Sequence, residues 1–405
     1  MKLSRITAKL RLILRYLFLA KKRWRWPRNS DVLIYDACSK EVLLEYLHPW
    51  NPEVLHCRGE EINVLVLLAS LLKKGNRWNV YADEFIQRVR PRLVVTFIDN
   101  NLGFYNLAAR HQNLKTMFIQ NGYRGYYLDV FEHLSKRPAA LDGYRVNYML
   151  TFGSITGAEY AKYIRGSVVP TGSVMNNHVP KTNPDKTGII AFVSQYKNQG
   201  VRIGTHYFSP EEFYRKPDAI IVNFLVRYAS SRGRRLLIIT RSPSPKGLRD
   251  EQAYFCDLVG QTVDFASGNW FGASYAAVDS AEVVVSNTST LGLEAAARNK
   301  KTAFFTIHKH IYGMRDRGLI WDRGIVWPDC YPDEGPFWTH RADPAAFERI
   351  LDHLLAIDDQ QWHAELSEYG FGNIMGYDPG NSILRSVLKR ELGERRWSND
   401  RKLRE

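Results

Sequence analysis

The stretch DSAEVVVSNTSTLGLEAAARNKKTAFF, residues 279–305, contains a strand, a turn, a helix and a second strand in succession. Val283–Val285 is an unbroken β-branched run that reads as a buried strand, and Thr302–Thr306 reads as the next one. Between them, Ser286-Asn287-Thr288-Ser289-Thr290 is a hydroxyl-rich turn, and Leu291–Asn299 is a helix capped by Ser289 or Thr290. A strand, a crossover helix and another strand make the repeating unit of a parallel sheet. The turn also presents backbone N–H groups and hydroxyls at the positive end of a helix, and a nucleotide phosphate is the guest that suits it. Ser286, Thr288, Ser289 and Thr290 are the candidates for holding that phosphate, with Glu294 on the first helical turn to accept hydrogen bonds from ribose. A merely capped turn needs one Ser or Thr, whereas four of these five residues carry a hydroxyl.

The same alternation runs outward in both directions. Upstream in the second half lie strands at Gly188–Ser194, Arg235–Thr240 and Thr262–Phe265, with helices at Ala219–Ser231 and Asp250–Val259. The first half gives strands at Val32–Tyr35, Glu53–His56, Leu93–Ile98, Thr116–Ile119, Tyr148–Phe152 and Val168–Thr171, with helices at Ile62–Lys74, Tyr81–Arg88 and Tyr105–Gln112. The polar stretch Asn176–Lys186 reads as a linker, and Pro344–Leu355 and Ser382–Leu392 as C-terminal helices. The expected fold class is therefore α/β, with two doubly wound Rossmann-like domains facing a cleft and a basic amphipathic helix in front. The expected boundaries are 1–29 for that helix, 30–178 for a first, acceptor-binding domain, 187–375 for a second, nucleotide-binding domain, and 376–405 for a C-terminal helix and basic tail. A length of 405 residues suits two domains of about 150 to 200 residues.

The net charge of +14 is concentrated at one end. Residues 1–30 hold ten Lys and Arg and no acid, interleaved with Leu3, Ile6, Leu10, Ile13, Leu14, Leu17 and Phe18 at helical spacing and followed by Trp24 and Trp26. That pattern predicts a helix over residues 1–28 lying on an anionic membrane surface. The run is too short and too charged to span a bilayer. Outside it no basic, aromatic groove suggests nucleic acid. Cys38, Cys57, Cys256 and Cys330 are widely spaced, which excludes a disulfide framework or a zinc motif and fits a reducing cytoplasm. The expected location is the inner face of the cytoplasmic membrane, with peripheral attachment.

Open α/β sheets bind ligands at the C-terminal ends of their strands, so residues just beyond predicted strands are the remaining candidates. In the second domain these are Ser194 and Gln195, and Arg241 and Ser242 in LLIITRSPSPKG (236–247), where an arginine can pair with phosphate or a sugar carboxylate. In the first domain Asp99 follows an apolar strand and is expected to point into the cleft as a general base or a nucleophile. Glu61 is the competing carboxylate. Asn100, Gln120, Asn121 and Arg124 are expected to contact the acceptor. No acidic pair is placed to hold a metal-bound diphosphate, so neither a metal nor a cofactor is expected, and Arg241, Lys246 and the helix N-terminus are expected to neutralise charge.

The pattern S-x-x-S-T-x-G-x-E-A-A-A from Ser286 to Ala297 resembles the donor-nucleotide segment of GT-B glycosyltransferases. Together with it, RGEEINVLVLL (58–68), TFIDNN (96–101), FIQNGYRG (118–125), FVSQY (192–196) and YDPGNSIL (377–384) resemble a family of bacterial surface-carbohydrate (O-antigen) biosynthesis proteins, distantly similar to CMP-Kdo and CMP-sialic-acid transferases. The resemblance implies transfer of a sugar from a nucleotide-activated donor, with a CMP-sugar favoured, to a glycan acceptor that is lipid-linked. Where the sialyltransferases carry a His-Pro pair, this chain has Arg241-Ser242-Pro243. Two other readings stand beside it: a CDP-polyol phosphotransferase, and a non-catalytic nucleotide-sugar-binding protein of the same machinery.

Overall fold

The computed structural model describes residues 18–124, 130–136, 143–182, 188–203, 206–242, 244–266, 272–312 and 332–394. In the first half the described strands are β1 (Lys21–Arg23), β2 (Val32–Tyr35), β3 (Glu53–Leu55), β4 (Glu61–Asn63), β5 (Leu93–Thr96), β6 (Lys115–Ile119), β7 (Arg145–Thr151) and β8 (Arg165–Pro170). Six of them form a parallel sheet in the order β3-β2-β5-β6-β7-β8. The second half holds β9 (Ile189–Val193), β10 (Val201–Ile203), β11 (His206–Phe208), β12 (Arg235–Ile239), β13 (Asp264–Phe265), β14 (Val283–Ser286), β15 (Thr302–Phe305) and β16 (Trp338–Thr339). Its six-stranded sheet, β13-β12-β9-β14-β15-β16, is also parallel throughout. Central strands such as β9, β14 and β15 are buried at every residue, as parallel sheets covered by helices on both faces require. The chain is thus α/β with two Rossmann-like domains, and strand order reverses between β2 and β5 and again between β9 and β14. Those two switch points are where such sheets open a crevice.

Several elements differ from the sequence reading, each for a physical reason. The basic segment expected as one helix contains strand β1, which pairs with β4. Arg23 and Arg28 both reach Glu53, a carboxylate only 3% exposed, so ion pairs made 25 and 30 residues away draw this segment onto the domain. Residues 1–17, the rest of the predicted helix, lie outside the described residues, as does the basic tail 395–405. Ile62–Lys74 begins as β4 and becomes helical at Val64–Leu71, where the Asn63 side chain caps the Val66 N–H. Tyr105–Gln112 is two short helices, Leu102–Tyr105 and Leu107–Arg110. The supposed linker starts inside a helix, Val174–His178, whose Asn176 and Asn177 are buried.

The C-terminal region joins the two halves. Helix Pro344–Ala356 packs on the second sheet, with Phe347 stacked on Phe305 at 4.2 Å. The chain then crosses back, and helix Ser382–Leu392 buries Leu384, Val387, Leu388 and Leu392 among Val32, Ile34 and Val42 of the first domain. The two crossing segments touch backbone to backbone, since a Cβ on Gly172 (φ +73°) would lie 2.1 Å from the Gly376 carbonyl oxygen. Among the described residues no helix is long and apolar enough to cross a membrane.

Candidate functional site

The loops after β12, β9 and β14 lie side by side at the switch point of the second sheet. They bring Ser194, Gln195, Arg241, Ser242, Ser286 and Thr288 to one edge. Thr288 Oγ1 donates to Gln195 Oε1, and Ser194 Oγ donates to Glu251. Glu251, fully buried in helix Pro245–Val259, also accepts from the backbone N–H groups of Arg241 (2.9 Å) and Ser242 (2.8 Å). One carboxylate therefore fixes the two neighbouring loops, while the Arg241 side chain stays exposed and reaches the Tyr196 carbonyl at 3.3 Å. Glu251 was missed by the sequence reading. Its one local signal is the spacing to Phe255, which puts both on the helix face turned to the sheet.

On the β14 side, Ser289 caps helix Thr290–Ala297 by accepting from the Leu291 N–H at 3.3 Å. Ser286 is fully buried, and neither its Oγ nor Asn287 Oδ1 has a hydrogen-bond partner among the described residues. A Cβ on Gly292 would come within 2.4 Å of Ser286 Oγ, so the glycine lets the turn lie directly against the helix.

The first domain meets this edge through its 120–124 loop, where the Tyr123 N–H donates to Thr290 Oγ1 at 3.0 Å. Asp99 does not point into an open cleft, as expected from its position after β5. It is fully buried, with its carboxylate bound by Arg124 (Nε at 2.7 Å and also Nη2), by the Tyr160 hydroxyl at 2.7 Å and by the Asn121 N–H at 3.4 Å. A carboxylate so engaged is a brace for Arg124. Burial beside that carboxylate also drives the Tyr160 phenol well above its ordinary value. Gln120, expected to contact acceptor, is 1% exposed and uses both ends of its amide on backbone, donating to Gly122 and accepting from Phe152. Asn121 is exposed and accepts from Arg124 at 2.6 Å, and Asn100 is exposed. Glu61 sits apart in the small β1–β4 sheet, 4.0 Å from Arg23.

Glu294 also lies elsewhere than the ribose-facing position expected of it. It is 7% exposed at the seam between the domains, accepting from Ser173 of the first, and the Asn176 amide donates to its backbone carbonyl. Burial pushes its carboxyl up to about 7, against hydrogen bonds from Ser173 and Tyr275 that pull it down. The folded chain therefore keeps a proton that the unfolded chain releases above its ordinary value of 4.5, and this group's contribution to stability falls as pH rises from there to about 7. Glu294→Gln is expected to remove that part of the slope, at most about 3 kcal/mol. Denaturant unfolding of both chains across the window checks it, and parallel pH profiles would show that Glu294 does not titrate there.

Residues 117–392 match the family described as "putative O-antigen biosynthesis protein". No curated protein matches the chain by sequence. Among solved structures, wall teichoic acid polymerase TagF with CDPG is 9% identical, covering 89% of this chain and 88% of that one with a TM-score of 0.50. The MnaA–UDP co-structure from S. aureus is 11% identical over 89% and 95% (TM-score 0.49). UDP-GlcNAc 2-epimerase from Neisseria meningitidis bound to UDP-GlcNAc is 11% identical over 89% and 98% (TM-score 0.47). At such identities the likeness is one of fold. The family match covers more than half of the chain, and on that ground the protein belongs to this O-antigen biosynthesis family.

Proposed function

We propose that this chain transfers a sugar from a nucleotide-activated donor to a glycan acceptor during assembly of surface polysaccharide. The observation that carries the reading is the junction at the second sheet's switch point. A hydroxyl-rich helix start, Gln195 and Arg241 lie on one side of it, and the first-domain loop bonded to Thr290 lies on the other. An anion-binding helix start suits the donor's phosphate, and the loop bearing Asn121 and Arg124 lies on the side from which an acceptor would approach. Arg241, Lys246 and the helix N-terminus supply positive charge for the departing nucleotide. In this reading the donor is a CMP-sugar first, and the acceptor is lipid-linked and met at the inner face of the cytoplasmic membrane, where residues 1–28 contact anionic lipid.

The polyol-phosphate reading calls for a histidine able to take a proton at a strand end. His308 follows β15, but it is buried, with Nε2 against the Phe213 carbonyl at 2.9 Å and its imidazole driven down to about 4 by burial.

The test compares free CMP, CDP, UDP and GDP for their effect on melting temperature, since a ligand at about 100 times its Kd adds about 2.7 kcal/mol. The double variant Ser289→Ala with Thr290→Val is expected to weaken the best nucleotide by about 10- to 100-fold. Unchanged affinity would put the nucleotide elsewhere.

A further inference from the structure

Helix Val64–Leu71 (VLVLLASL) is apolar at every position but Ser70. Its inner face, with Val66 and Ser70 buried, is covered by the first domain. Among the described residues its outer face is not: Leu68 is 53% exposed, Leu71 54% and the following Leu72 89%. A surface helix of a soluble protein places polar residues there, and contiguous exposed leucines mark a contact surface.

The border of this face is cationic. Lys73, Lys74 and Arg77 are exposed at the helix C-terminus, where Arg77 reaches the carbonyls of Leu71 and Lys73 at 3.4 and 3.3 Å. Beside Leu72 is a groove of about 440 Å³ lined by Ala69, Lys73, Glu84, Gln87, Arg88 and Arg90. Its single acid, Glu84, is buried and bound by both Lys73 (2.5 Å) and Arg88 (3.0 Å). Arg88 in turn lies 4.1 Å over the ring of Trp26. Trp26 belongs to the basic segment, which also carries the exposed pair Phe18 and Leu19 and continues through Lys21, Lys22, exposed Trp24 and Arg25. The Arg25 carbonyl accepts from Asn63 at the head of the helix, so the basic segment and the leucine face form one continuous surface.

We infer that this surface seats the protein on an anionic bilayer, with Leu68, Leu71 and Leu72 entering the acyl boundary and the groove beside Leu72 taking a lipid phosphate. Apolar side chains ringed by Lys and Arg, with tryptophan at the margin, match the layered chemistry of a headgroup region. The inference rests on the membrane location proposed above and assigns that contact to folded residues beyond the terminal segment.

The experiment is co-sedimentation of the full chain with vesicles of phosphatidylcholine alone and with an equimolar phosphatidylglycerol mixture, at about 0.1 M salt. Binding to the anionic vesicles is expected to fall at least tenfold in Leu68→Gln/Leu71→Gln/Leu72→Gln, a change that keeps helix propensity. In Lys74→Ala, which leaves the Lys73–Glu84 pair intact, it is expected to fall about fivefold, since each Lys near an anionic surface contributes about 1 kcal/mol. An unchanged melting temperature shows that either variant is folded. Deletion of residues 1–17 separates the two readings. If the deletion abolishes binding while the leucine variant binds normally, the membrane location stands and this surface is overturned. If the full chain binds neither vesicle, both fall. If the leucine variant changes only the oligomeric state of the chain, the surface belongs to a second copy and the inference is overturned.

Discussion

Asp99→Asn is expected to lower turnover at least about 100-fold, with nucleotide affinity unchanged, because Arg124 loses the brace that positions it. The substitution preserves shape but removes the charge that faces Arg124, whose side chain is 11% exposed, and it leaves the guanidinium without its bidentate partner. Arg124 follows the residue that touches Thr290, so its orientation is tied to the domain junction. Arg124→Ala is then expected to cost about as much as Asp99→Asn, and the double variant no more than either alone, because residues acting as a unit are not additive. If Asp99 instead takes the acceptor proton, the double variant must be slower than Arg124→Ala and the acidic limb of the pH–rate profile must vanish in Asp99→Asn. Glu61→Gln is the control, expected near wild type. A dead Glu61→Gln beside an active Asp99→Asn would move the chemistry to the β1–β4 edge.

The second large effect is on stability. Arg298 and Asp279 form a salt bridge whose side chains are fully buried, with Nη2 and Oδ2 2.6 Å apart. The same guanidinium donates to the carbonyls of Asn176 (3.2 Å), Val179 (2.9 Å) and Pro180 (3.2 Å) where the chain passes between domains. Arg298→Met leaves the buried Asp279 carboxylate without its counter-charge, with only Thr182 among the described residues still donating to it, and strips these carbonyls of a donor, which is expected to cost about 3–5 kcal/mol. Adding Asp279→Leu is expected to recover part of that loss, since the stranded charge is then gone. Urea unfolding of the three chains measures both changes, and a loss below about 1 kcal/mol for the single variant would show that water or rearrangement serves Asp279 instead.

The sheets were legible because their strands are unbroken apolar runs: Val283–Val285 in β14 and the whole of β2 stand where the side-chain pattern puts them. Helix ends were less so. Helix Arg77–Val89 starts ahead of its apolar stripe because Asn76 caps it, accepting from Trp78 and Asn79. At the site, the pattern located the strand ends but not the direction of the side chains beyond them. Asp99 and Gln120 follow adjacent strands and turn inward, for partners supplied by Tyr160, Arg124 and Phe152 elsewhere in the chain. Glu251 and Arg298 were invisible as braces for the same reason, since each acts on backbone that is distant in sequence or gathered from loops.

The helix Ser382–Leu392 supplies Leu384, Leu388 and Leu392 to a core that also contains Val32 and Ile34. On the ribosome Val32 and Ile34 emerge about 350 residues before that helix. The second domain has all its strands before that helix leaves the exit tunnel, while the first must wait with part of its apolar face uncovered until residues 382–392 have emerged. The usual order, in which the N-terminal domain finishes first, is therefore reversed for this chain, and the half that is translated earliest is the one most in need of protection from aggregation while it waits.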